Sequence, residues 1–234
     1  MTEPFGRHLT DDMADAISAT TATSAEEIGQ RSVDDGAKRR QVMEGAREIF
    51  MSAGFDGASM NDIARAAGVS KGTLYAYFDS KEALFEALIR EERVHQPERN
   101  TIFPVEEPDP EKALRIYGRR LIAKVLRPEN LAQIRVVVAA AAKFPRLGQA
   151  FYEAGPLYGI ATLTERFDAF VAVGTLAIDD TGLAARQFID LCLGDALKRT
   201  LFAMVETIPP AEVDALVDSV VALFLKAYAA PPRG

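Results

Sequence analysis

With one cysteine and two histidines in 234 residues, the chain has little room for several classes of function. Cys192 has no second cysteine for an internal disulfide, which fits a reducing compartment. A lone cysteine is also among the residue types most often fully buried, so core filling is its simplest role. His8 and His95 lie far apart without cysteine neighbours, and no metal-ligand spacing can be built from them. No stretch approaches the ~18 uninterrupted apolar residues of a membrane-crossing helix, Val136 to Ala142 being the nearest. The N-terminus lacks the basic start and apolar run of a secretory signal. Enzyme constellations are missing too: there is no His–carboxylate pair, no Glu-x-x-His and no phosphate-binding glycine loop. Gly68-x3-Gly72 has neither the following lysine nor the preceding strand of a P-loop. These absences predict a soluble, cytoplasmic protein without metal, cofactor, membrane association or catalytic site.

Positive charge is also scarce, since the net charge is −7. Its distribution changes the meaning of that sum. Residues 1–37 hold eight acidic residues (Glu3, Asp11, Asp12, Asp15, Glu26, Glu27, Asp34, Asp35) against Arg7 and Arg31, and so carry most of the excess. Between Lys38 and Lys81 basic residues outnumber acidic ones by seven to five. Attraction to phosphate depends on where cations sit rather than on the total. The acidity therefore does not exclude a nucleic-acid partner.

Residues 1–36, rich in Thr, Ser, Ala and Asp, predict a disordered acidic tail, with Ala14–Thr23 at most transiently helical. From Lys38 the pattern turns helical. Val42, Ala46, Ile49, Phe50 and Ala53 share one face, and Gly54 supplies a stop, after which Phe55 folds back. Ser59 caps a short helix with Ile63, Ala64 and Ala67 inside. Gly68 breaks it where a tight turn needs positive φ, Val69 is a buried hinge, and Ser70 caps a second short helix carrying Leu74 and Phe78 inward. Ser80 caps a longer helix, inner face Ala83, Leu84, Ala87 and Leu88, ended by Pro97. Beyond 108 every segment reads as helix: from Pro110 to about Leu126, from Pro128 to Phe144, 146–173 with a break near Gly155-Pro156, 183–205, and Pro210 to Tyr228. The last carries the stripe Val213, Leu216, Val217, Val220, Val221, Phe224 and Leu225. The expected fold class is all-α, with a tail over 1–36, an N-terminal three-helix unit over 37–95 and a C-terminal helical unit over 96–234.

Ser59–Ala67 and Ser70–Phe78 have the size and order of a helix-turn-helix. The exposed face of the second helix carries Lys71, Gly72, Thr73, Tyr75 and Tyr77, all small, polar or tipped with a hydrogen-bonding group. A helix lying in the major groove needs that chemistry, because it must approach base edges closely while donating to phosphates.

The run Phe50-x4-Phe55-x3-Ser59-Met60-x2-Ile63-Ala64-x2-Ala67-Gly68-Val69-Ser70-Lys71-Gly72-Thr73-Leu74-Tyr75-x-Tyr77-Phe78-x-Ser80-Lys81-Glu82-x-Leu84 resembles the N-terminal domain of TetR-type repressors. Phe144-Pro145-x-Leu147 and Ala185-Arg186-Gln187-Phe188 are similar to the AcrR/AefR-like branch. The resemblance implies a DNA-binding regulator, a repressor released by a small effector; an activator or dual regulator would use the same domain. It implies contacts to bases and phosphates of double-stranded DNA at Lys71, Gly72 and Thr73, and phosphate or groove contacts at Tyr75, Tyr77 and Lys81. Ser59 and Ser70 at helix N-termini, with Lys38 and Arg39, complete the DNA-facing set. It further implies a homodimer through the last two helices on a pseudo-palindromic operator. The effector pocket, for an apolar or aromatic molecule, has Phe144, Phe151, Tyr152, Tyr158, Phe167, Phe188 and Cys192 as candidate lining. Each of these has a plain alternative: lysines can be merely solvated, serines merely caps, and the aromatic residues core.

Overall fold

Local chemistry sets where the helices begin. The hydroxyls of Ser59, Ser70 and Ser80 accept from the backbone N–H of Asp62, Thr73 and Ala83 at 3.2, 3.0 and 3.1 Å. Asp109 and Asp180 cap two later helices in the same way. Pro110, Pro128, Pro145 and Pro210 sit in first turns, where a missing N–H costs nothing. The structure, a computed structural model, describes residues 35–94 and 107–230. In chain order these form α1 (35–57), α2 (Met60–Ala66), α3 (Lys71–Tyr77), α4 (Lys81–Val94), α5 (Pro110–Val125), α6 (Pro128–Ala141) and α7 (Pro145–Tyr152). A π-helical turn (Glu153–Leu157) leads into α8 (Tyr158–Ala172), followed by α9 (Thr181–Leu201) and α10 (Pro210–Tyr228). Extended pairing among the described residues is one antiparallel bridge, Leu176 with Ala229. The fold is all-α, as the periodicity predicts.

Some expectations fall outside these residues: nearly all of the acidic tail with Ala14–Thr23, the stop at Pro97, and the boundary near 95. Residues 35 and 36 are already helical. The break expected at Gly155-Pro156 is the π turn, whose wider winding accommodates a proline ring inside a continuous helical path. The helix expected over 183–205 starts at Thr181 and stops at Leu201. Ala203 there adopts φ +54, its N–H bonds to the Thr200 carbonyl (3.1 Å), and the Met204 N–H bonds to the Arg199 carbonyl (2.9 Å). That is a Schellman C-cap without the glycine that usually announces it.

Apolar side chains collect in two clusters. The first joins α1–α4 with Val137 and Ala140 of α6 and Leu147 of α7. In α4 the buried residues are Leu84, Phe85, Leu88 and Ile89, while Ala83 is exposed and Ala87 half-buried. This corrects the expected inner face by one residue. Phe85 packs against Phe50 and Phe55 at ring distances of 4.7 and 5.3 Å, and burying it removes far more apolar area from water than burying an alanine. The second cluster takes residues from α5, α8, α9 and α10. It absorbs Val217, Val220, Val221 and Phe224, so the α10 stripe expected at a dimer interface completes the core of its own chain.

Candidate nucleic-acid interface and internal cavity

The α2–α3 corner is held by backbone geometry and by α1. Gly68 adopts φ +63, the conformation expected of it. A Cβ on Gly45 of α1 would stand 2.5 Å from the Ala67 nitrogen, so α1 lies directly against the turn. Gln41 reinforces this contact by donating through Nε2 to the Ala67 carbonyl at 2.7 Å. Leu74 is fully buried and locks α3 by its inner face. Its outer face then presents Lys71, Gly72 and Tyr75 to solvent, Tyr75 being 49% exposed. Gly72 is not required by packing within the chain, since a Cβ there would meet only the Ser70 hydroxyl at 3.7 Å. Thr73 is half-buried and shares a 2.8 Å hydrogen bond with Ser70.

Other members of the expected DNA-facing set are engaged within the chain. Lys81 donates to the carbonyls of Phe55 (2.7 Å) and Ala58 (3.1 Å), with its ammonium 4.5 Å from the Phe55 ring centre. It thereby fastens the α1–α2 connection to the start of α4. Arg39 pairs with Glu91 of α4, and the Tyr77 hydroxyl donates to Asp35. Ser59 caps α2 and donates to Asp62 at 2.5 Å. Lys38 is exposed and reaches Gln41 at 3.5 Å. Arg65, exposed beside Asp62 at 3.2 Å, is a basic residue of the corner that the sequence reading passed over.

A cavity of about 270 Å³ opens between α5, α6, the π turn, α8 and α9. Of the expected lining, Phe151 and Tyr158 are on its wall. The remainder need correction. Phe144 packs on the Phe55 ring at 4.9 Å, in the cluster beneath the helix-turn-helix. Tyr152 points outward, half-exposed. Phe167, Phe188 and Cys192 are fully buried in the second cluster, off the cavity wall, and burial pushes the Cys192 thiol up to about 12. The residues the sequence reading missed include Tyr117, Leu121 and Lys124 on α5, Asn130 and Ile134 on α6, and Ile189, Leu193 and Leu197 on α9. Their signal was there: each set recurs at three- or four-residue spacing along its helix. Burial also raises the Tyr117 phenol well above its ordinary range. Phe151 and Ala154 line the cavity and also pack against the first cluster. They connect the cavity to the core that carries the helix-turn-helix.

On the outer side of α9 and α10, Leu183, Leu191 and Leu223 are exposed, and an open groove of about 460 Å³ runs between Leu191, Leu223, Ala227 and Tyr228. None of the described helices is long and apolar enough to cross a membrane.

Two family descriptions match this chain. Residues 42–88 match the bacterial regulatory proteins of the tetR family, and residues 112–230 match the AefR-like transcriptional repressor C-terminal domain. Among solved structures, the flavonoid-responsive regulator FrrA is 33% identical, with a TM-score of 0.74 over 85% of this chain and 100% of that one. A TetR-family regulator from Mesorhizobium loti is 30% identical, with a TM-score of 0.75 over 83% of this chain and 98% of that one. The transcriptional repressor Rv1474c of Mycobacterium tuberculosis is 43% identical over 56 residues. That match covers 24% of this chain and 30% of the repressor, so this curated relative is shared over less than a third of its length.

Proposed function

The chain belongs to the TetR family of bacterial transcriptional regulators, and on that premise we propose that it is a homodimeric, sequence-specific DNA-binding repressor released by a small apolar or aromatic effector. The observation that carries the reading is the outer face of α3. Lys71, Gly72 and Tyr75 stand clear of the fold beside the fully buried Leu74, so a rigid helix offers a cation, a bare backbone and a phenol to an incoming groove. Thr73, Ser59, Ser70, Lys38, Arg39, Tyr77 and Lys81 flank that face as positioning or phosphate contacts. Residues 37–95 form the DNA-binding unit in this reading, and 96–234 the effector and dimerisation unit.

One such unit reads a single half-site. Two, held about 34–36 Å apart, meet successive major grooves of a pseudo-palindrome. The exposed leucines of α9 and α10 are the surface through which two copies pair. An effector in the cavity acts by preferring one spacing of the reading heads, and Phe151 with Ala154 gives it a path to the first cluster. FrrA is flavonoid-responsive by name, which agrees with a cavity walled by Tyr117, Phe151 and Tyr158.

The test is fluorescence anisotropy on DNA flanking the protein's own gene against scrambled DNA at two salt concentrations. Selective binding is expected, lost or relaxed in Lys71→Ala and Tyr75→Ala while the fold is retained. Equal binding to both DNAs by the wild-type protein, with unchanged affinity in the two variants, would refute the assignment.

A further inference from the structure

Glycine is poorly favoured inside a helix, so a helix glycine calls for a reason in its surroundings. Gly45, Gly118 and Gly148 find it in packing: a Cβ would stand 2.5 Å from Ala67, 3.1 Å from Val217 and 3.1 Å from Ala141. Gly159, on the helical path from the π turn into α8, has no such neighbour. The nearest atom across from a Cβ there is the Tyr117 hydroxyl oxygen at 3.9 Å, so an alanine would fit. Gly159 and Tyr117 both line the cavity, and that Cβ would project into it. Gly72 and Gly194 are uncrowded too, but they look onto solvent or open space. The wall around Gly159 has little relief. The π turn contributes Ala154, Gly155 and Pro156, whereas α5, α6 and α9 contribute branched side chains such as Leu121, Ile134 and Leu193. Two polar side chains of the wall are engaged with backbone: Asn130 donates to the Lys124 carbonyl (2.5 Å) and Thr162 to the Tyr158 carbonyl (3.0 Å). Shape is left to carry much of the selection.

We propose that the effector is a flat aromatic molecule of two or three rings, one of which lies against the bare backbone at Gly159 and the π turn, and that Gly159 selects for flatness. The inference rests on the cavity being the effector site and adds a shape and a selecting residue to that reading. A flat ring meets a low-relief wall with all its atoms at van der Waals distance, whereas a puckered saturated ring touches it with only some of them. A methyl group at position 159 would occupy the layer in which the ring lies. The π winding belongs to the same device, since such turns open helices at functional sites. At about 270 Å³ the cavity lies just below the roughly 300–1,000 Å³ of pockets that enclose drug-sized ligands, which fits a body of two or three rings.

The experiment is isothermal titration calorimetry of the full-length chain with two probe pairs of matched skeleton, one member flat and the other puckered: 2-naphthol with trans-decahydro-2-naphthol, and flavone with flavanone. Wild-type protein should bind the flat member of each pair roughly tenfold more tightly than its partner. Gly159→Ala should lower affinity for the flat probes roughly tenfold or more and so erase the preference, as one added methyl group does in a fitted apolar pocket. Its thermal midpoint should equal or exceed that of wild type, because alanine favours the helix and nothing crowds the site. Leu193→Trp, which fills the cavity, should abolish binding of all four probes with helicity retained by circular dichroism. Absence of the flat preference in either pair on wild type overturns the inference and leaves the cavity reading standing. A preference that survives in Gly159→Ala, or a lowered midpoint in that variant, also overturns it, by giving the glycine no part in selection or a part in packing. Binding that persists in Leu193→Trp places the probes outside the cavity and overturns it too. If no probe binds the wild-type chain, the cavity reading fails and this inference fails with it.

Discussion

At the scale of single residues, a side chain's type and its employment differ. Lys81 stands in a motif that implies contact with DNA, yet its ammonium bridges the Phe55 and Ala58 carbonyls. Lys81→Met should therefore lower stability by about 1–3 kcal/mol, because the two carbonyls lose a charged donor. A urea melt of the DNA-free protein checks it, and an unchanged midpoint would return Lys81 to a surface role. Cys192 gives a second expectation. Its folded pKa of about 12 lies above the 9.0 of a free thiol, so the folded state keeps its proton while the unfolded state loses it. The buried Tyr117 phenol shifts the same way. Stability is then fully present below pH 9 and falls as pH rises from 9 toward 12. Denaturation midpoints across that range should show the decline, and Cys192→Ala should reduce it while leaving the share due to Tyr117.

At the scale of elements, capping and periodicity explain most boundaries, while close approaches explain the site. The Schellman end of α9 was illegible because an alanine, Ala203, stands where a glycine usually marks such a turn, and the one-residue rotation of α4 toward Phe85 because the partner ring of Phe50 decided it. Gly45 is the clearest case. In sequence it is a poor residue for a helix interior, and in the fold it is the position where α1 touches the α2–α3 turn. Gly45→Ala would raise helix propensity in isolation, yet it should destabilise the protein by about 1–3 kcal/mol, because the new methyl meets backbone at 2.5 Å. Thermal unfolding measures the loss. DNA affinity should fall as well, since the corner must shift to admit the methyl group.

At the scale of the whole molecule, α9 turns apolar residues in three directions. Phe188, Cys192 and Ala196 enter the core, Ile189, Leu193 and Leu197 face the cavity, and Leu183 and Leu191 face solvent. In the proposed dimer, a second copy covers the third side. Leu191→Glu combined with Leu223→Glu should give a monomer by analytical ultracentrifugation with helicity retained by circular dichroism. Operator affinity should drop at least tenfold with loss of the paired half-site. A double variant that stays dimeric would move the interface off α9 and α10.

The sequence by itself determined the all-α class, the helix-turn-helix with its capped starts, the positive-φ turn at Gly68, the buried Leu74 and Phe78, and the break at Pro156. These depend on contacts within a few residues, and short-range chemistry is readable in order along a chain. Only the tertiary structure decided that Lys81 and Arg39 are tied inside the fold, that Phe144 belongs beneath the DNA-reading corner, and that the α10 stripe closes its own core. It also decided which faces of α5 and α9 enclose the cavity. An amphipathic period marks a face as apolar but does not say what covers it, and that choice is made by helices far away in sequence competing to bury the same surface.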